Sequence, residues 1–174
     1  PFYHFFIFFQ WKSAGGINTD VGNGITIDEN GNVFVTGEFS GVASFGTYSL
    51  SSLSGTIDIF TTKLDPSGNF LWAKKGSAKA TDRGIDVACD KLGDVYVTGQ
   101  FSDTITFDVM HPNTMFNSIF IIKYDALGNE KWFKKIGGGL LNVVSGIVAD
   151  TNSNIYITGD FIGNLIFFGP PNVV

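Results

Sequence analysis

The sequence is poor in the residues on which most reaction chemistry rests. Cys89 is the only cysteine in 174 residues, so no internal disulfide can form and cysteine usage reports no redox compartment. His4 and His111 are the only histidines, no Cys/His/carboxylate cluster has metal-ligand spacing, and no G-x-S-x-G nucleophile motif appears. We therefore expect no catalytic residue, no metal and no cofactor. Charged residues make up only 16% of the chain, the net charge is −5, and no Lys/Arg cluster stands out. A nucleic-acid partner would leave a basic footprint, so that class is excluded. No apolar run reaches the roughly 20 residues that span a bilayer, and no stretch carries the 3.6-residue periodicity of a helix. Pro1 stands where Met would, with no basic segment or small-residue cleavage site behind it, so a missing or processed N-terminus is expected.

What is present is repetition. Trp11, Trp72 and Trp132 stand 61 and 60 residues apart, and the pairs Thr36-Gly37, Thr98-Gly99 and Thr158-Gly159 keep nearly the same step. A constant period of this length marks a repeat protein. At 44% hydrophobic the chain can bury a core of one domain's size.

Five short segments punctuate the repeat: DENGN (28–32), DPSGN (65–69), DKLGD (90–94), DALGN (125–129) and DTNSN (150–154). Each lies between apolar runs. Asp accepts backbone N–H bonds across a turn and Gly or Asn tolerates positive φ, so each segment reads as a tight hairpin loop. Their spacings alternate, 37, 25, 35 and 25 residues. Two different hairpins thus recur, and each repeat holds at least four strands. We name these A (24–27, 85–89, 146–149), B (33–39, 95–101, 155–161), C (57–64, 119–124) and D (70–75, 130–135), with 5–12 as an earlier copy of D. Both parities of strand B are apolar or neutral, Val33/Val35 and Phe34/Thr36 in the first copy. A strand with one wet face would alternate with charges, so these strands are covered on both sides.

Four-stranded antiparallel units, buried on both faces and repeated every 60 residues, fit an all-β fold of β-propeller blades. A β-sandwich is the structural alternative. The expected organisation is a Phe-rich start carrying the outer strand of an incomplete blade (1–23), a first blade repeat (24–75), a second (76–135) and a partial third (136–174). The opening PFYHFFIFFQ is too short to span a bilayer and reads as a strand packed against something.

The segments GITIDENGNVFVTGEFSGVASFG (24–46), IDIFTTKLDPSGNFLWAKKGS (57–77), GIDVACDKLGDVYVTGQFS (84–102), IFIIKYDALGNEKWFKKIGG (119–138) and GIVADTNSNIYITGDFIG (146–163) resemble the SBBP-type β-propeller repeats of bacterial proteins. The resemblance implies a propeller and a secreted or cell-surface setting, and it brings no general catalytic residues. Departures are Phe107-Asp108 where the first repeat has Phe45-Gly46, Asn152-Ser153 in the last A–B turn, and the Phe-rich start. The Asp-x-x-Gly-x-x-x-Trp pattern of 65–72 and 125–132 also resembles repeats of quinone-dependent propeller dehydrogenases. Those tryptophans are structural there as well, so no cofactor follows.

Strand direction puts the tight A–B and C–D turns at one end of the blades and the B–C and D–A connections at the other. Long loops on a rigid scaffold are where binding residues gather. Candidate binding residues are Asp20, Asp82 and Asn142 from the D–A connections, and Glu38, Gln100 and Asp160, which follow the Thr-Gly pairs in register. The turn sequence of 28–32 has the start of a calcium loop but lacks a downstream bidentate Glu, so Asx-turn stabilisation is the better account. Phe45, Phe107 and Phe167 recur eight residues after the Thr-Gly glycine and are expected in the core. Lys74, Lys75, Lys134 and Lys135 on strand D are expected to guard an outer edge. The functional expectation is a non-enzymatic binding or scaffolding module that engages protein or glycan through the B–C/D–A loop face. The alternatives are a fragment of a propeller enzyme whose catalytic residues lie outside this chain, and a piece that self-associates or docks on a chain completing the propeller.

Overall fold

Alternating apolar residues between Asx turns leave the backbone one economical solution, antiparallel hairpins, and the computed structural model shows them throughout. It describes residues 12–53, 55–111, 118–137, 141–164 and 166–168. Their strands are β1 (Gly15–Gly16), β2 (Asp20–Ile27), β3 (Val33–Phe39), β4 (Val42–Phe45), β5 (Tyr48–Ser51), β6 (Asp58–Leu64), β7 (Phe70–Gly76) and β8 (Arg83–Cys89). There follow β9 (Val95–Phe101), β10 (Ile105–Thr106), β11 (Met110–His111), β12 (Ser118–Tyr124), β13 (Glu130–Gly137), β14 (Leu141–Ala149), β15 (Ile155–Ile162) and β16 (Ile166–Phe168). Trp11 and nearly all of the expected outer strand 5–12 lie outside the described residues, and Lys12 itself is not in a strand.

The fold is all-β and built of antiparallel propeller blades. One sheet has the order β2-β3-β6-β7, a second β8-β9-β12-β13 with β16 added at its outer edge, and β14-β15 form a third. These are strands A to D of the first and second repeats and A and B of the third. The inner strand β8 packs against β2 on one side and β14 on the other. This side-by-side stacking of successive sheets accounts for the two apolar faces of strand B. Between the first two blades lie Phe34, Ile59 and Trp72 against Val95, Val97, Phe101 and Phe120. Between the next two lie Tyr96, Ile119 and Ile121 against Val144 and Ile147. Each fully buried phenylalanine of this set is worth roughly 2–3 kcal/mol. Phe45 and Phe107 are buried as expected; the side chain of Phe167 lies outside the described residues.

Strand A departs from the sequence reading. It begins at Asp20, Arg83 and Leu141 rather than at 24, 85 and 146. The cause is a β-bulge at the same place in each copy, between Gly22 and Gly24, Gly84 and Asp86, and Val144 and Gly146. One extra residue inverts the in/out alternation, so the periodic pattern is legible only past it. A second bulge, opposite Leu64 and Tyr124, recurs at the start of strand D.

Neighbouring blades are also stitched at the rim. Gly15 pairs with Ser44, Ser77 with Thr106, and Gly137 with Ile166. These three pairs are equivalent under the repeat. In the second and third, the end of an outer strand, β7 or β13, is held by the short strand that follows the next B strand, β10 or β16.

Candidate functional site: the loop face

The two ends of the blades differ in how their polar groups are used. At the tight-turn end the leading Asp of each turn accepts hydrogen bonds from its own loop. Asp28 Oδ1 accepts from the Asn30 and Asn32 amides at 2.9 and 2.8 Å, and Oδ2 accepts from Asn32 Nδ2 at 2.8 Å. Asp125 and Asp150 repeat the set. Burial acts to raise the Asp28 carboxyl, but the donors from Asn32 and Asn30 more than offset it and hold it below the ordinary carboxylate range. Among the described residues no group of three or more His, Cys, Asp or Glu side chains has the geometry to hold a metal ion. The loop amides and Asn side chains occupy both oxygens of these carboxylates, as an Asx turn requires.

At the other end lie the B–C hairpins β4–β5 and β10–β11. They fold onto the outer strands instead of projecting freely. Tyr48 donates its hydroxyl to the Leu71 carbonyl, and Lys75 Nζ donates to the Ser51 carbonyl at 2.7 Å. Lys74, on the first blade's β7, pairs with Asp108 of the second repeat's hairpin at 3.0 Å; Asp108 accepts from the Glu130 amide at 3.1 Å, and Glu130 Oε1 meets His111 Nε2 at 2.7 Å. His111 stacks on Phe133 with ring centroids 3.9 Å apart. Lys74 and Lys75 are thus hairpin clasps, more specific in role than the edge guards expected for them.

The six sequence-derived candidates sort into two groups. Asp20 and Asp82 close the D–A connection. Asp20 Oδ2 accepts from the Gly16 amide at 2.6 Å, and Asp82 Oδ2 from the Ala78 amide at 2.8 Å, with Oδ1 3.4 Å from the Ser102 amide. Asn142 occupies the equivalent place and is buried. The second group ties one blade to the next. Glu38 meets Arg83 Nε at 2.9 Å, and Gln100 Nε2 donates to the Asn142 carbonyl at 2.8 Å. Asp160 is exposed, opposite Val143 in the ladder. All six thus lie at one end, where Asp20 and Asp82 hold loops, Glu38 and Gln100 join blades, Asn142 is buried and Asp160 is exposed.

Asp58 is a member of this site that sequence reasoning missed. It is fully buried and accepts from Leu53 N at 3.1 Å and Thr56 Oγ1 at 2.9 Å, with Lys75 Nζ at 3.8 Å. Its equivalent in the second repeat is Ser118, so the repeat itself gave no signal. The Asp82 amide donates to the Ile57 carbonyl at 3.0 Å, joining the first blade's C strand to the second blade's entry. Burial pushes the Asp58 carboxyl up against the pull of Thr56, Leu53 and Lys75. Burial pushes Asp82 further, to about 7, the nearby Asp58 and Asp103 charges adding to it and the Ala78 and Ser102 amides opposing it. Beside the Leu53 and Thr56 groups that Asp58 holds opens a groove of about 550 Å³, lined among others by Asn18, Ser40, Ser52, Leu53, Thr56 and Ile57.

Stacked four-stranded blades with loops and hairpins gathered at one end define a β-propeller repeat protein. The family model for the SBBP beta-propeller repeat matches residues 14–38 and 131–166, so these two segments are similar to that repeat. The chain is also similar to an uncharacterized WD repeat-containing protein of Acanthamoeba polyphaga mimivirus, at 27% identity. That alignment covers 88% of this chain and 13% of the relative, so the chain spans only a small part of the relative's length. No helix among the described residues is long and apolar enough to cross a membrane.

Proposed function

We propose that the chain is a non-enzymatic binding module that engages a protein partner through the loop face of its first two blades. The observation that supports this most is the groove at the B–C end of the first blade. Its walls are hydroxyls, amides and two exposed apolar tips, Val42 and Leu53; the buried Asp58 carboxylate holds the lining residues Leu53 and Thr56, and the Asp82 amide holds the Ile57 carbonyl. A lining fixed from behind in this way suits recognition, because little ordering is needed on binding. The carboxylates are engaged in holding loops, which favours binding over proton-transfer chemistry. The repeat type supports a secreted or cell-surface setting, and the acidic balance of the chain favours a neutral or basic protein surface as the partner.

The test compares the full chain with Val42→Asp and Leu53→Asp variants as immobilised baits for extracellular and surface proteins. The reading expects a partner retained by the parent chain and lost by both variants, with unchanged melting temperature. Retention by both variants, or equal loss in a variant of the exposed turn residue Leu127 at the opposite end, argues against the loop face. A glycan array run in parallel separates a sugar ligand from a protein one.

A further inference from the structure

The seam between the first two blades is chargeable at its loop end, and the next seam is not. Asp58 and Asp82 stand at the first, both fully buried. Sixty residues on, the same two places hold Ser118 and Asn142, also buried and without charge. The fold thus builds this junction equally well from neutral side chains, so the two acids are not a requirement of the repeat.

Each acid holds a loop. Asp58 accepts from the Leu53 amide at 3.1 Å and the Thr56 hydroxyl at 2.9 Å, and Asp82 accepts from the Ala78 amide at 2.8 Å, with the Ser102 amide at 3.4 Å. The Asp82 amide donates to the Ile57 carbonyl at 3.0 Å and so ties segment 77–82 to segment 52–57. Leu53, Thr56 and Ile57 all line the groove, and the junction therefore sets its shape. The charges around it do not balance. Asp103, exposed after β9, adds a third acid whose charge acts on Asp82. Lys75 of β7 lies 3.8 Å from Asp58, while Lys79 is exposed and Arg83 is engaged by Glu38 at 2.9 Å. Three carboxyls thus face one cation, and two of them lie out of water, where unbalanced charge is unfavourable. A bound proton removes the excess.

We propose that this junction is a proton-operated latch on the groove: a proton held at the Asp58 and Asp82 pair keeps segments 52–57 and 77–82 joined, and its loss lets them part. Burial lifts both carboxyls and so works in the same sense. Closed, the latch keeps its proton up to about pH 7; open, with the carboxyl in water, Asp82 returns to its ordinary 3.8. Opening therefore becomes easier as pH rises from about 4 to about 7, and no easier beyond that. The groove is best formed in acidic surroundings and loosens towards neutral pH. As regulation of the loop face the latch rests on the binding function proposed for that face, but it is a property of the chain alone, so the two fail separately.

The test is residue-resolved amide hydrogen exchange on the full chain, expressed as protection so that the intrinsic pH dependence of exchange cancels. From about pH 4.5 to about 7, protection of the Leu53, Ala78 and Asp82 amides is expected to fall at least about tenfold, and then to level off. The fall is expected to be insensitive to about 1 M urea, the mark of local rather than global opening. Asp82→Asn, which copies the third repeat and keeps an acceptor for the Ala78 amide, is expected to remove most of it. Asp103→Asn suits the φ of 68° at that position, takes away one neighbouring charge, and is expected to move the levelling point about half a pH unit lower. Unchanged protection across the range overturns the latch, as does an undiminished fall in Asp82→Asn. Exchange at these amides that rises with urea as steeply as that of Val97 in the core places the titration in global unfolding and overturns it too. A latch that opens as expected, in a chain whose Val42→Asp and Leu53→Asp variants keep every partner, stands without the binding function.

Discussion

Asp82 carries an unusual burden for a single side chain. It is fully buried, it accepts two backbone amides, and burial lifts its carboxyl to about 7. A carboxyl raised above its unfolded value of 3.8 contributes stability that is fully present below that value. The contribution is lost as pH rises through the folded value. Stability therefore falls between about pH 4 and 7, on the order of a few kcal/mol, and the raised carboxyl of Asp58 adds in the same direction. The third repeat already places an amide at this position in Asn142. Asp82→Asn keeps an acceptor for the Ala78 amide and removes the charge. The variant is expected to melt several degrees above the parent at pH 8 and to lose that advantage towards pH 5. Parallel melting curves across pH 4.5–8 would contradict the assignment. The repeat step was enough to mark Asp20, Asp82 and Asn142 as equivalent, but their direction was not legible in the sequence. Whether an Asp at a strand entry faces solvent or closes a loop depends on the bulge three residues on, and a bulge leaves no periodic trace.

Among the elements, strand B was readable to within a residue, because the turns on either side fix its ends and its alternation is unbroken. Strand A was not, for the reason just given. The hairpin turns were legible in type, yet their energetic rank was not, since it depends on neighbours in other blades. The turn at Asp90 shows this. Its carboxylate accepts from the Leu92 and Asp94 amides within its loop and from the Tyr96 hydroxyl at 2.9 Å. Burial acts to raise it, and donors led by the Ser153 side chain and Tyr96 hold it below the ordinary range. Ser153 belongs to the third repeat's own A–B turn and sits there at φ 63°, where the other four turns have glycine between 76° and 83°. A strained serine in place of glycine makes sense as a link between two hairpins. Asp90→Ala is expected to cost about 2–3 kcal/mol, against about 1 kcal/mol for Asp125→Ala in a solvated turn. Urea unfolding of the two variants distinguishes them, and equal losses would remove the inter-blade role.

Over the whole molecule, cohesion between blades depends on how closely the inner strands approach. Gly84 lies where a Cβ would come 2.4 Å from Thr36 Oγ1 and 3.1 Å from the Gly37 carbonyl. Asn23 Nδ2 donates to the Gly84 carbonyl at 2.8 Å, and the Ile147 amide donates to Asp86 Oδ2 at 2.9 Å. Gly84→Val forces the first two blades apart. Overpacking of this kind costs about 1–3 kcal/mol, and its specific signature is loss of a single cooperative transition. Calorimetry is expected to show two overlapping transitions in the variant and one in the parent; one sharp transition in both would mean the blades unfold independently of this contact.

The rim pairs give the array a mechanical polarity. A segment before each A strand is gripped by the short strand that follows the same repeat's B strand, at Gly15–Ser44, Ser77–Thr106 and Gly137–Ile166. Tension applied along the chain meets these grips one after another rather than together. Tension arriving from the side of β16 reaches its pairing with β13 before it reaches Ser77–Thr106. Each release then frees the length of one repeat, about 200 Å when drawn straight. A stretched array of such blades would pay out chain in discrete lengths, as a spool does, and the blades not yet reached would keep their loops intact while it did so.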